Sequence, residues 1–182
     1  GGGNPVRPWP LAGLLALLLA GCGREQPPVR AVPAVVSLTE AAAAGYPGEN
    51  GTLQLRDGRY EDGQGLLANL DEWTAQGDLD GDGIDDLAVI LVTSTGGSGQ
   101  FRDLYVLRRD QGAVQVSAPG FLGDRVVVNG LRIERGEAVV DLLVQGDDDP
   151  LCCPSLPVSY RFRLAGDKLV ETTGRQRLYL QP

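Results

Sequence analysis

Over most of this chain, short runs of alternating polar and apolar residues are separated by turn residues, the period-2 pattern of half-buried strands. Leu53 to Arg56 and Arg59 to Glu61 flank Asp57-Gly58, a two-residue turn signal. Leu66 to Trp73 is a mixed apolar segment. Leu87 to Val92 is continuously apolar and rich in β-branched residues, which predicts a buried strand. Phe101 to Arg109 closes at Asp110-Gln111-Gly112 and returns through Ala113 to Ser117. Arg125 to Val128 and Leu131 to Glu134 flank Asn129-Gly130, which predicts a hairpin, and Glu137 to Val144 pairs across Arg135-Gly136. Ser159 to Leu164 and Lys168 to Glu171 flank Ala165-Gly166-Asp167, and Arg177 to Leu180 adds a final edge. One segment departs from this pattern. Ser37-Leu-Thr-Glu40 has capping-box spacing, with alanines after it and Gly45 as a stop, so a short helix is expected over Leu38 to Ala44. The pattern predicts an all-β fold, mainly an antiparallel sandwich or partly open barrel, with one short N-terminal helix besides a signal peptide.

That signal peptide is read from residues 1 to 21. Arg7 precedes the apolar run Leu11 to Leu18, which is too short to span a bilayer but has the length of a signal-peptide core. Leu19-Ala20-Gly21-Cys22 resembles the lipobox of bacterial lipoproteins. The resemblance implies cleavage before Cys22, acylation of Cys22, and anchoring to membrane lipid. At about 0.8 kcal/mol per buried methylene, two or three acyl chains hold durably where one is marginal. Gly23 follows the cysteine in place of Asp, which in that family implies the outer membrane where a cell has one, and otherwise the periplasmic side of the envelope membrane. Arg24 to Pro33, with prolines at 27, 28 and 33, reads as a semi-extended tether. The expected organisation is a leader over 1–21, a tether and short helix over 22–50, and a single β domain over 51–182.

Charge narrows the partners. Without the leader, 15 basic residues face 24 acidic ones, a net charge of −9, so nucleic acid is not an expected partner. The chain has no His and a single Lys, Lys168, which excludes Ser-His-Asp and Cys-His catalysis and His-based zinc sites.

Much of the acidity is concentrated in one place. Asp78 to Val89 reads D-L-D-G-D-G-I-D-D-L-A-V, with five aspartates in nine residues. Carboxylates a few ångströms apart repel by roughly 4 kcal/mol per pair at an effective dielectric near 20, so a cation is expected among them. Asp78, Asp80 and Asp82 alternate, Gly81 and Gly83 let the backbone bend, and hard oxygen donors in this number suit calcium. By loop position, the carbonyl of Ile84 is the next donor. Asp86 closes the site, because the EF-hand closing position is occupied by Val89. The string D-x-D-G-D-G-x-x-D-L-x-V is similar to the calcium loop of FG-GAP and VCBS repeats. That resemblance implies side-chain ligands at Asp78, Asp80, Asp82 and Asp86 and a carbonyl ligand at Ile84. It covers about a dozen residues and occurs once, so it carries the loop and not a propeller. With every ligand on one loop and no His or Lys nearby, the ion is expected to be structural.

Gly96-Gly-Ser-Gly99 lacks the ending of a phosphate loop and is read as a hairpin connection. Cys152-Cys153 leaves three readings open: a vicinal disulfide in a strained eight-membered ring, a pair of buried thiols, or intermolecular and redox pairing. Asp147, Asp148 and Asp149 precede it as a solvated loop or a contribution to a second cation site. G-D-L-D-G-D-G, G-G-S-G, Leu122-Gly-Asp-Arg125 and Asp149-Pro-Leu-Cys-Cys-Pro154, in that order, are together similar to a group of uncharacterised bacterial exported proteins and lipoproteins, which implies a fold and an address but no activity.

Two functions follow. The first is a lipid-anchored, non-enzymatic binding module with a structural calcium ion, whose partner is an envelope protein or polysaccharide. The second is an envelope hydrolase working with carboxylates, for which Asp103, Asp124 and Glu72 are the candidates.

Overall fold

Leu87, Val89 and Leu91 point to one side of their strand and Ala88 and Ile90 to the other, and both sides are buried. The strand that carries them is the middle of the molecule. In the computed structural model, which describes residues 1–3 and 34–173, it is β5, Asp86–Ser94. The apolar run at 11–18, Cys22, the proline-rich tether and the edge strand expected at 177–180 lie outside the described residues.

A helix and four strands precede β5. They are α1 Leu38–Ala41, β1 Gly45–Gly48, β2 Gly51–Gln54, β3 Arg59–Glu61 and β4 Leu67–Gly77. After it come β6 Phe101–Asp110, β7 Ala113–Val116, β8 Gly120–Asp124, β9 Val127–Glu134, β10 Glu137–Val144, β11 Leu156–Ala165 and β12 Lys168–Glu171. The central sheet runs β3-β4-β5-β6-β7, with β8 also paired to β6. β7 and β8 share one edge of β6. Where the chain breaks between them, Ser117 mends the ladder: its N–H donates to the Val106 carbonyl and its hydroxyl oxygen accepts the Val106 N–H, both at 2.9 Å. The second sheet is the meander β12-β11-β10-β9, and β1 and β2 form a separate hairpin. All strand pairs are antiparallel and both large sheets are open, so the fold is an all-β sandwich with one short helix and no closed barrel.

Each face of the central sheet has its own core. Ala88, Ile90, Leu104 and Val106 meet Val128, Ala138, Val140, Leu142, Phe162 and Leu164 of the second sheet. On the opposite face Leu87, Val89, Leu91, Tyr105 and Leu107 meet Val36, Ala41, Tyr46, Leu53 and Leu55. The folded body therefore takes in residues from Val36 onward, ahead of the boundary expected at 51. Tyr46 and Tyr105 join the layers edge to face, with ring centroids 5.1 Å apart, and their hydroxyls donate to the carbonyls of Ala41 and Pro47 at 2.9 and 2.7 Å.

Local rules explain most elements. Ser37 and Glu40 form a complete capping box, and the helix stops three residues earlier than expected because Ala44 and Gly45 turn the chain into β1. Glu40 also accepts from Arg109 Nη2 at 2.7 Å, which fastens the helix to β6. Ser37's N–H, then Arg109 and the Ser37 hydroxyl, hold the Glu40 carboxyl down at about 2.

Asn129-Gly130 is not the predicted hairpin. β9 runs straight through it, and the register against β10 shifts by one residue there, a bulge. The apolar residues Val128 and Leu131 lie on either side of that bulge and both pack toward the same core, which keeps the strand whole. A larger irregularity interrupts β4, where Asp71, Glu72 and Trp73 stand opposite Ile90 alone.

Candidate metal site

β4 ends at Gly77 and β5 begins at Asp86, so the aspartate loop is the connection between two central strands. Its entry is tightly fitted. A Cβ on Gly77 would meet Ile133 Cγ2 at 2.8 Å, so only glycine allows β9 to lie this close to the base of the loop. Gly81 and Gly83 both sit at φ +84°, in the left-handed region that the sequence pattern anticipated.

The loop folds around its own carboxylates. Asp78 accepts the N–H of Gly81 at 2.6 Å on Oδ1 and that of Gly83 at 3.0 Å on Oδ2. Asp80 Oδ1 accepts from the Asp82 N–H at 3.1 Å, and Asp82 Oδ1 from the Ile84 N–H at 2.7 Å, each two residues on in the chain. Asp86, only 3% exposed, accepts the Leu79 N–H on Oδ2 at 2.9 Å. These bonds set the backbone and leave lone pairs on every carboxylate, since each oxygen accepts more than once.

Asp78, Asp80 and Asp86 come together. One carboxylate oxygen from each lies within 4.8 Å of the other two, a group that can hold a metal ion. Asp82 is outside that group, and Ile84 presents an exposed side chain at the loop tip. Two oxygens bound to one calcium ion at about 2.3–2.6 Å can be no more than about 5 Å apart, a limit that the spacing of these three oxygens respects. The donors are hard and anionic, the set that calcium prefers.

Electrostatics point the same way. Burial, with the charges of Asp80 and Asp82 adding to it, pushes the Asp86 carboxyl up to about 6 against the hydrogen bond from Leu79. Among the described residues, the one ion pair to this group is with Arg108 of β6, whose Nη1 lies 3.6 Å from Asp80 Oδ2. Nothing in the sequence marked Arg108, because the ion pair joins residues 28 positions apart that only the pairing of β5 with β6 brings together.

The hydrolase candidates stay apart in role. Glu72 lies on the β4 bulge and lines a shallow cleft of about 530 Å3 beside Asp57, Asp71 and Leu38. Asp124 is committed to structure, with Oδ1 accepting the Gln100 N–H at 2.9 Å and Oδ2 paired with Arg125 at 2.8 Å. Asp103 stands opposite Phe121 in the β6–β8 ladder, and burial pushes its carboxyl up to about 6.

Cys152 and Cys153 are joined in a disulfide. Their loop, between β10 and β11, is built on Asp149, which accepts the Gly146 N–H at 2.8 Å and the Ser155 N–H and hydroxyl at 2.7 Å each. Those bonds, with Gly146 the largest contributor, hold the Asp149 carboxyl below its ordinary value. Asp149 is thus occupied within its own loop.

Comparison with family models, with curated proteins and with solved structures found no match to this chain. Among the described residues no helix is long and apolar enough to cross a membrane.

Proposed function

We propose that this chain is a lipid-anchored envelope protein, held through an acylated Cys22, whose Asp78–Asp86 loop binds calcium as a structural ion. Its role on this reading is that of a non-enzymatic module that binds an envelope protein or polysaccharide. One observation carries the metal reading: three carboxylates converge within 4.8 Å at the mouth of the most buried strand, with a single arginine among the described residues as counter-charge. Leader, lipobox and tether support the anchor from sequence alone. A calcium ion there ties Asp86 at the start of β5 to Asp78 at the end of β4, so its effect is to stiffen the loop. Asp78, Asp80 and Asp86 would hold it, and Gly81 and Gly83 supply the bend that lets them converge.

Calorimetric titration of calcium into chelator-treated protein tests this. One ion bound, a raised melting temperature, and loss of both in Asp80→Ala are the expected results. Absence of binding at millimolar calcium rejects the reading. For the anchor, Cys22→Ser is expected to move the protein from the membrane fraction to the soluble fraction.

A second reading, a carboxylate hydrolase, draws on Asp103 alone, half-buried with its carboxyl at about 6. Turnover of an envelope polysaccharide that disappears in Asp103→Asn would establish it in place of the first.

A further inference from the structure

A disulfide stabilises a fold by closing a loop, and the gain grows with the length of chain enclosed. Cys152 and Cys153 are neighbours in sequence, so their bond encloses no loop and removes almost nothing from the freedom of the unfolded chain. It also fastens no two elements together. The β10–β11 connection is already held without it. Asp149 gathers Gly146 and Ser155, Gln145 Nε2 donates to the carbonyls of Asp149 and Pro150 at 2.9 and 2.7 Å, and the Cys153 N–H closes a turn on the Pro150 carbonyl at 2.9 Å.

Position excludes a packing role as well. Both cysteines are exposed, neither belongs to either core, and Leu151 beside them is 68% exposed. The result is a sulfur–sulfur bond on a rigid platform, open to solvent, with nothing to staple.

We propose that Cys152–Cys153 is a thiol-exchange site, opened and closed by a dithiol reductant and its disulfide form while the fold stays intact. A thiolate of the dithiol attacks one of the two sulfurs, forming a mixed disulfide and expelling the other cysteine as a thiolate. The second thiol of the dithiol then attacks its own partner sulfur in that mixed disulfide and releases the remaining cysteine. Two electrons pass from the dithiol, which leaves as a cyclic disulfide, to the protein, and the two cysteine thiolates take up the two protons that the dithiol lost. Exposure gives the attacker access, and the Asp149 platform keeps the loop in place once the bond is open.

The test uses the folded full-length chain. It is treated with dithiothreitol under native conditions, quenched with a maleimide, digested, and the Cys152–Cys153 peptide is weighed. The expected result is no label before reduction, two labels after it, no label again after glutathione disulfide is supplied, and a melting temperature that moves by less than about 4 °C. In Cys152→Ser the remaining thiol cannot resolve a mixed disulfide, so Cys153 is expected to retain glutathione. Labelling only after the chain is unfolded, labelling before any reductant, or a melting temperature lowered by about 4 °C or more would each overturn the proposal.

Discussion

The outer face of the second sheet and the aspartate loop are both crowded with charge, and they resolve it in opposite ways. On the sheet, Arg132, Arg161 and Arg163 are interleaved with Glu134, Glu137 and Asp141, and every one of them has an opposite partner within 4.0 Å or less. Val139 lies in register between Arg132 and Arg161 and is fully buried, so the arginine stems also roof an apolar residue. In the loop, five aspartates have only Arg108 among the described residues. At 4.8 Å and an effective dielectric near 20, each carboxylate pair costs roughly 3–4 kcal/mol, and one arginine offsets about one such pair. A surface that balances its own charge has no use for an ion, whereas a loop that does not balance it keeps a surplus of negative charge that a cation could offset.

The largest effect expected from breaking this contrast is on ion binding. Asp80→Ala and Asp86→Ala are each expected to weaken calcium at least 100-fold, while Asp82→Ala, outside the converging group, costs about tenfold or less, as read by calorimetry. Equal losses at all three positions would instead restore the ligand set of the repeat-loop resemblance. Without its ion, Asp86→Ala also leaves the Leu79 N–H buried without an acceptor, which costs about 1–3 kcal/mol in chemical denaturation.

Next in size is the fit beneath the loop. Gly77→Ala drives a methyl into Ile133 and is expected to destabilise by about 1–3 kcal/mol without changing the ligands.

A third test uses pH. Asp103 rises from 3.8 to about 6 on folding, so between about pH 4 and pH 6 the folded chain keeps a proton that the unfolded chain has released. Its contribution is therefore most favourable below this window and declines as pH rises through it, by on the order of 1–2 kcal/mol after solvent screening. In Asp103→Asn that decline is expected to be absent, so the difference between parent and variant melts shrinks as pH rises through the window.

Smallest is the balanced face. Glu137→Ala releases Arg161, Arg163 and Thr172 together, yet the change is expected to stay within about 1 kcal/mol, because exposed pairs in water are worth little. A loss several times larger would mean that the arginine roof over Val139 depends on its acids.

Legibility followed the range of the interaction that decides each feature. The capping box at Ser37 and Glu40 depends on residues three apart, and the turns at Asp57-Gly58, Gln111-Gly112 and Arg135-Gly136 each depend on a glycine at positive φ; all were readable. So was β5, since six apolar residues in a row have to be covered on both sides. Asn129-Gly130 carries the same local signal as the true turns and became a bulge, because burial of Val128 and Leu131 outweighs a turn preference. The arrival of Val36, Ala41 and Tyr46 in a second core depended on what the far face of the central sheet left uncovered.

By itself the sequence determined the strand periodicity, the all-β class, the excess of aspartates in one loop and the glycines that let that loop turn, all of them consequences of neighbours within a few positions. The tertiary structure alone decided which three of the aspartates converge, that Arg108 is the cation beside them, that the outer charges of the second sheet cancel, and that Cys152–Cys153 stands in solvent. Arg108 and the outer charges depend on strands brought together from distant parts of the chain, while the aspartates and the cysteines depend on the path their loops take between paired strands, and the residue pattern encodes neither.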